Sequence, residues 1–174
     1  MTFYTTIDSP LGELLLVGEE SETAEGGTAL ASVSMPGQRT GEAVQDGWHH
    51  APDAFAVITA QLRSYFDGGR TSFDIEYAAR GTEFQQRVWR ALDALPYGTT
   101  TAYGRLADRI GVPRSAVRAV AAAIGANPLL VVRPCHRVIG ADGALTGYAG
   151  GLDRKRQLLL HEGQAAGEEA VRVA

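Results

Sequence analysis

The 174-residue chain carries 16 basic and 20 acidic side chains for a formal net charge of −4, and 45% of it is hydrophobic, enough for a folded core in one or two small domains. No apolar run approaches the ~20 residues that cross a bilayer, and Met1-Thr2-Phe3-Tyr4 lacks the basic and apolar stretches of a signal peptide, so a cytoplasmic protein without a membrane partner is expected. Cys135 is the single cysteine and His49, His50, His136 and His161 are the only histidines, which excludes an intrachain disulfide and any zinc-finger spacing; neither metal nor cofactor is expected.

Phe3–Ile7 and Leu14–Val17 flank the turn Ser9-Pro10-Leu11-Gly12 and predict a β-hairpin. Residues 19–28, rich in Glu and Gly, read as a loop before a third strand at Ala29–Val33. Pro52-Asp53 opens a helix with Phe55, Ile58, Leu62 and Tyr65 on one face, and Phe73–Tyr77 read as a returning strand. At Thr82 the period turns helical, with Phe84, Val88, Trp89, Leu92 and Leu95 leading to Pro96-Tyr97-Gly98. The expected architecture is α+β: a small N-terminal sheet domain with one helix over 1–80, then a mostly helical domain over 81–174.

In the second domain Thr100 or Thr101 is placed to cap a short helix through Arg109, Gly111-Val112-Pro113 makes a turn, and Ser115 is placed to cap a helix to about Gly125. That order is a helix-turn-helix pattern, which by itself any helical domain could contain. Charge sharpens it. Residues 98–140 hold six arginines and one acid, Asp108, whereas residues 1–97 hold six basic and 14 acidic groups. Arg105, Arg109, Arg114 and Arg118 fall on or beside the helix pair, as a helix laid against phosphates requires.

Residues 129–139, Leu-Leu-Val-Val-Arg-Pro-Cys-His-Arg-Val-Ile, read as a strand-like apolar run interrupted by a reactive group. A lone cysteine in such surroundings is ordinarily a small hydrophobe. His136 and Arg137 supply a base and a positive neighbour for Cys135, and Glu162, after Leu158–Leu160, is a candidate to orient the imidazole. Consecutive strand residues point to opposite faces, so contact between Cys135 and His136 calls for a kink, which Pro134 offers, or a bridging water. Arg133 must reach solvent or an acid. Asn127-Pro128 reads as a helix-ending turn, and Gly147-Tyr148-Ala149-Gly150-Gly151 as a small-residue loop able to wall a pocket for a flat base. The tail from Gln164 to Ala174 reads as disordered or as a frayed helix.

Pro134-Cys135-His136-Arg137-Val138, with Phe84–Trp89, Pro96-Tyr97-Gly98, Tyr103-Gly104, Arg118-Ala119-Val120, Asn127-Pro128, Gly147–Gly151 and His161-Glu162-Gly163 in the same order, resembles the 6-O-alkylguanine-DNA alkyltransferases. The resemblance is strong over about 80–163 and weak before it. It implies that Cys135 takes an alkyl group from O6-alkylguanine, less so from O4-alkylthymine, in double-stranded DNA, irreversibly and once per molecule. It makes His136 a base acting through a water, Glu162 its orienter and Asn127 a support of the active-site turn. By the same resemblance Arg118 fills the stack left by the rotated nucleotide, with Ala119 and Arg114 beside it at the DNA. Tyr103 turns the nucleotide and protonates the guanine, and Val138, Tyr148, Ala149 and Gly150 form the guanine pocket. A monomer in solution is expected, with cooperative assembly on DNA left open. Other readings are a non-catalytic binder of alkylated DNA, a helix-turn-helix regulator and a cysteine hydrolase. Cys135 argues against the first, the Cys-His pair against the second, and the cationic helices against the third.

Overall fold

A computed structural model describes residues 1–163 and 172–173, and the chain divides into two compact units. The first comprises Met1–Arg80 with Pro128–Val132, and the second Gly81–Asn127 with the residues from Arg133 on.

In the first unit, strands β1 (Thr2–Ile7), β2 (Leu14–Glu20), β3 (Thr28–Ser34) and β4 (His49–His50) form one sheet in the order β3-β2-β1-β4. The β1–β2 hairpin pairs Thr2 with Glu19 through to Ile7 with Leu14. Its turn closes because Ser9 Oγ donates to the Gly12 carbonyl (2.6 Å) and accepts from the Leu11 N–H (3.1 Å), while Gly12 adopts φ 104°, a conformation that costs glycine little. The register shifts between Val17 and Gly18, where β3 carries the extra residue Ala31 and bends. At Gly18 an added Cβ would stand 2.8 Å from the Ala29 carbonyl and 3.1 Å from the Phe55 ring, so glycine lets that ring close on the strand. Helix α1 (Ala56–Phe66) follows a 3-10 turn at Pro52–Phe55, and Phe55, Ile58, Leu62 and Tyr65 are buried as the period predicts. Two expectations change. β2 and β3 extend into the expected loop, which shrinks to residues 21–27 and ends in a 3-10 turn at Glu25–Gly27. Phe73–Tyr77 forms no strand, only a single bridge between Tyr77 and Leu30, because Gln61 takes the Asp74 N–H and carbonyl (both 2.9 Å) in place of a neighbouring strand.

The apolar run from Leu129 is not a strand either. Leu129 makes one bridge to Val33, Val131 adopts φ 71°, and the Val132 N–H turns back to the Leu130 carbonyl (2.9 Å). Pro128 and Pro134 lack the N–H groups a ladder needs, and a left-handed valine is strained by about 1–3 kcal/mol.

The second unit contains α2 (Glu83–Asp93), β5 (Thr101–Ala102), α3 (Tyr103–Arg109), α4 (Val117–Gly125), β6 (Val138–Ile139), β7 (Ala144–Leu145), α5 (Leu152–His161) and β8 (Arg172–Val173). A capping box starts α2: Thr82 Oγ1 accepts from the Gln85 N–H (3.1 Å) and Gln85 Oε1 from the Thr82 N–H (3.0 Å). Trp89 then donates its indole N–H to the Ala123 carbonyl (2.8 Å), tying α2 to α4. The expected caps of the next two helices are corrected. Ala102 precedes α3 and Ala116 precedes α4, neither with a side-chain cap, because Thr101 is paired in β5 and Ser115 lies inside a 3-10 turn at Arg114–Ala116. Between the helices Gly111 takes φ 74° and lets the Val112 N–H reach the Ala107 carbonyl (3.1 Å). β5 and β6 pair in parallel, and so do β7 and β8. The expectation for 164–174 falls outside the described residues except at Arg172–Val173, which are extended. No helix among the described residues is long and apolar enough to cross a membrane.

Candidate active site

Cys135 opens a 3-10 turn that runs to Arg137 and is followed directly by β6. In this turn consecutive side chains do not alternate as they would in a strand, which removes the geometric objection to a Cys135–His136 partnership. Cys135, His136 and Arg137 are all buried.

His136 is wholly buried, and its Nε2 lies 2.7 Å from Glu162 Oε2 at the end of α5. Arg137 grips the same carboxylate, Nε to Oε1 at 2.7 Å and Nη2 to Oε2 at 3.0 Å, and donates Nη1 to the Leu95 carbonyl (2.5 Å). Its guanidinium lies over the Tyr97 ring, 5.7 Å from the centroid. Gly98 (φ 78°) makes room here, since an added Cβ would stand 3.3 Å from the Glu162 carbonyl. Burial holds the His136 imidazolium form below its ordinary range, against the pull of Glu162, so the ring is neutral near pH 7. A neutral ring donating Nε2–H to a carboxylate leaves Nδ1 with a bare lone pair, and Nδ1 is buried with no hydrogen-bond partner among the described residues.

Burial pushes the Cys135 thiol up; a hydrogen bond from Asn127, the Lys155 charge, the turn's own backbone and the Arg133 charge pull it back. Arg137 is not among these groups, so the expected positive neighbour is corrected: Arg137 is committed to Glu162, and the cations acting on the thiol are Lys155 and Arg133. Asn127 also donates Nδ2 to the Arg133 carbonyl (3.3 Å). Arg133 finds the acid it requires in Asp93, with Nε to Oδ1 at 3.1 Å.

Lys155 on α5 was not singled out as a site residue by sequence reasoning. It has no exposed surface, and its ammonium donates to the Val138 carbonyl (2.6 Å) and the Gly147 carbonyl (2.9 Å), joining the strand after the active-site turn to the glycine loop. Burial lowers it to about 8. The signal is present in the sequence: every other cationic side chain is arginine, and a compact ammonium suits a site between two carbonyls.

Beside the thiol lies a cavity of about 250 Å³ lined by Tyr103, Ala121, Ile124, Gly125, Cys135, Thr146, Gly147, Tyr148 and Ala149. Tyr148 and Ala149 are on its wall as expected. Val138 and Gly150 are not: the Val138 side chain is buried in β6, and the Gly150 carbonyl accepts from Arg154 (3.1 Å). Tyr103 Oη accepts a hydrogen bond from Thr146 Oγ1 (3.1 Å), which leaves its own proton available to a ligand in the cavity. No three His, Cys, Asp or Glu side chains among the described residues are placed to hold a metal ion.

Two descriptions of one family match the chain: the ribonuclease-like domain of 6-O-methylguanine DNA methyltransferase over residues 2–79 and its DNA binding domain over 83–164. The chain belongs to the 6-O-methylguanine DNA methyltransferase family. A methylated-DNA–protein-cysteine methyltransferase of Mycolicibacterium paratuberculosis is 51% identical, with 93% of each chain covered. One from Methanosarcina acetivorans is 46% identical over 92% of this chain and 98% of its own. The crystal structure of Mycobacterium tuberculosis OGT in complex with DNA superposes with a TM-score of 0.82 at 46% identity, covering 98% of this chain and 95% of that one. As a family member the chain is a DNA-repair protein that transfers a methyl group from methylated DNA to a protein cysteine.

The family's DNA-binding region includes the helix pair α3–α4. Arg118 and Ala119, at the start of α4, are exposed, and no ion pair among the described residues involves Arg118. Arg114 is exposed too but folds back on Asp108, Nε to Oδ1 at 3.2 Å and Nη2 to Oδ2 at 2.9 Å. Gly104 permits this, because an added Cβ would stand 2.8 Å from the Arg114 guanidinium.

Proposed function

We propose that Cys135 is the acceptor and that it removes a methyl or larger alkyl group from O6-alkylguanine, and less readily from O4-alkylthymine, in double-stranded DNA, once per molecule and irreversibly. The observation that carries this reading is the presence of the thiol on a cavity wall beside a buried neutral imidazole whose Nδ1 is bare.

Because burial keeps the thiol protonated near neutral pH, a base must remove its proton as it attacks. His136 Nδ1 takes that proton through a bridging water, and Glu162 steadies the imidazolium that forms. The sulfur lone pair attacks the alkyl carbon, an S–C bond forms, and the C–O bond breaks with its electrons passing to the guanine oxygen. Tyr103 donates a proton to the departing base, and Arg137 keeps the Glu162 charge compensated throughout. The thioether has no ready leaving group, so the molecule does not turn over.

The alkylated oxygen lies within the duplex, beyond reach of a buried thiol, so the nucleotide is rotated out into the cavity between Tyr103 and Tyr148–Ala149. Arg118, exposed and without an ion pair, enters the stack in its place, with Ala119 and α4 against the backbone. The protein acts as a monomer in the cytoplasm.

Intact-protein mass spectrometry after mixing with a duplex bearing one O6-methylguanine tests this. One added methylene per molecule, mapped to Cys135 and absent in Cys135→Ser while that variant still binds DNA, is the expected result. Binding without any mass gain would refute the transfer reading and leave a damage-recognition protein.

A further inference from the structure

Helix α2 presents Trp89 and Asp93 one turn apart, on the same face. The Arg133 guanidinium fits between them: its carbon lies 5.0 Å from the Trp89 ring centroid, and the Asp93 carboxylate receives Nε at 3.1 Å and Nη2 at 3.5 Å. Asp93 keeps 35% of its side chain exposed while Arg133 keeps 5%. An arginine buried two residues before the nucleophile needs a reason, because the pair could be replaced by apolar groups at little cost in stability.

A further contact supplies one. Arg133 Nη1 faces Asn127 Oδ1 at 3.5 Å, and the Arg133 carbonyl accepts from Asn127 Nδ2 at 3.3 Å. A guanidinium only donates and a carbonyl only accepts, so Arg133 reads both ends of the amide and permits one orientation. In that orientation the amide presents N–H to Cys135, whose thiol Asn127 hydrogen-bonds. A flipped amide would present an oxygen, which favours the protonated thiol and opposes the forming thiolate.

We infer that Arg133, clamped by Trp89 and Asp93, is a positioning residue for the transfer reaction: it fixes the Asn127 amide so that its N–H group faces the Cys135 sulfur. This rests on Cys135 being the acceptor. The guanidinium charge adds to the effect, in the same direction as Lys155 from α5. The other titratable groups about the thiol are His136, with Glu162 and Arg137 behind it, and Tyr103 and Tyr148 on the cavity wall.

The test is the pH dependence of Cys135 alkylation by iodoacetamide, paired with the single-turnover transfer rate from a duplex bearing one O6-methylguanine. Arg133→Met is expected to raise the alkylation midpoint by about one pH unit and slow transfer at pH 7 about tenfold, with DNA affinity unchanged. Arg133→Lys, which keeps a donor and a charge, recovers part of both. Asp93→Asn, which loosens the clamp but keeps the guanidinium and its charge beside Asn127, lowers the melting temperature and raises the midpoint less than Arg133→Met does. Should Arg133→Met alone not fold, the double variant Arg133→Met with Asp93→Asn strands no charge and must show the same upward shift. Methyl on Cys135 in the unaltered protein, with the Arg133→Met or double-variant midpoint and rate unchanged, overturns the inference and leaves a stability clamp. Methyl found elsewhere, or nowhere, overturns the acceptor reading and the inference with it.

Discussion

Glu162 serves two partners with one carboxylate: it accepts from the His136 ring at 2.7 Å and takes a forked grip from Arg137, all three side chains being buried. Replacing it with glutamine keeps the shape and one acceptor oxygen but removes the negative charge that balances Arg137, and a buried charge without its counter-ion costs about 3–5 kcal/mol. Glu162→Gln is therefore expected to melt well below the unaltered protein and, where still folded, to transfer at least about a hundredfold more slowly, since His136 loses the partner that sets its tautomer. Thermal denaturation and single-turnover kinetics check both, and a normal transfer rate would refute the orienting role. These residues were legible to different degrees. Cys135 and His136 stand out as a reactive pair inside an apolar run, whereas Glu162 can be nominated only on its chemistry, because it lies 26 positions along the chain from His136. Arg137, next but one to the thiol in sequence, serves Glu162 instead, a choice set by side-chain direction in the 3-10 turn and invisible to spacing.

At the scale of elements, α3 and α4 were legible as a pair because Gly111 and Pro113 mark the break and the apolar period resumes after it. The caps were not, because Thr101 and Ser115 were claimed by β5 and a 3-10 turn. The run 129–139 misled for a related reason: β-branched residues favour strands, but two prolines and a left-handed Val131 prevent a ladder. Two expectations follow for the helix pair if it docks on DNA as proposed. Arg118→Ala should slow repair of duplex DNA by about tenfold or more while reaction with the free base O6-benzylguanine stays near normal, since the free base needs no extrusion. Equal losses on both substrates would refute the stacking role. Asp108→Asn should release Arg114 from its bidentate pair and steepen the fall of log affinity with log salt by about one. An unchanged slope in a salt titration of duplex binding would show that Arg114 does not reach phosphate.

At the scale of the whole molecule the net charge of −4 is uninformative, since the acids gather before residue 98 and the cations between 98 and 140. Stability is where one buried residue speaks for the whole chain. Lys155 falls from an ordinary 10.5 to about 8, with burial the first cause and the Cys135 charge opposing it. Between pH 8 and 10.5 the unfolded chain holds a proton that the folded protein has released, so folding gains stability as pH rises through that window and loses it as pH falls back to 8. At about 1.4 kcal/mol per pH unit the gain is about 3 kcal/mol. Cys135 runs the other way: burial raises its thiol, so that contribution is present below the unfolded thiol value and lost as pH climbs past it. Removing the Lys155 charge raises the thiol further, making this loss larger in the variant and adding to the contrast. The melting temperature of the unaltered protein minus that of Lys155→Met is thus expected to grow by roughly 5–10 °C from pH 8 to pH 10.5. A difference that stays flat or shrinks would mean that Lys155 does not titrate as a buried ammonium held by the Val138 and Gly147 carbonyls.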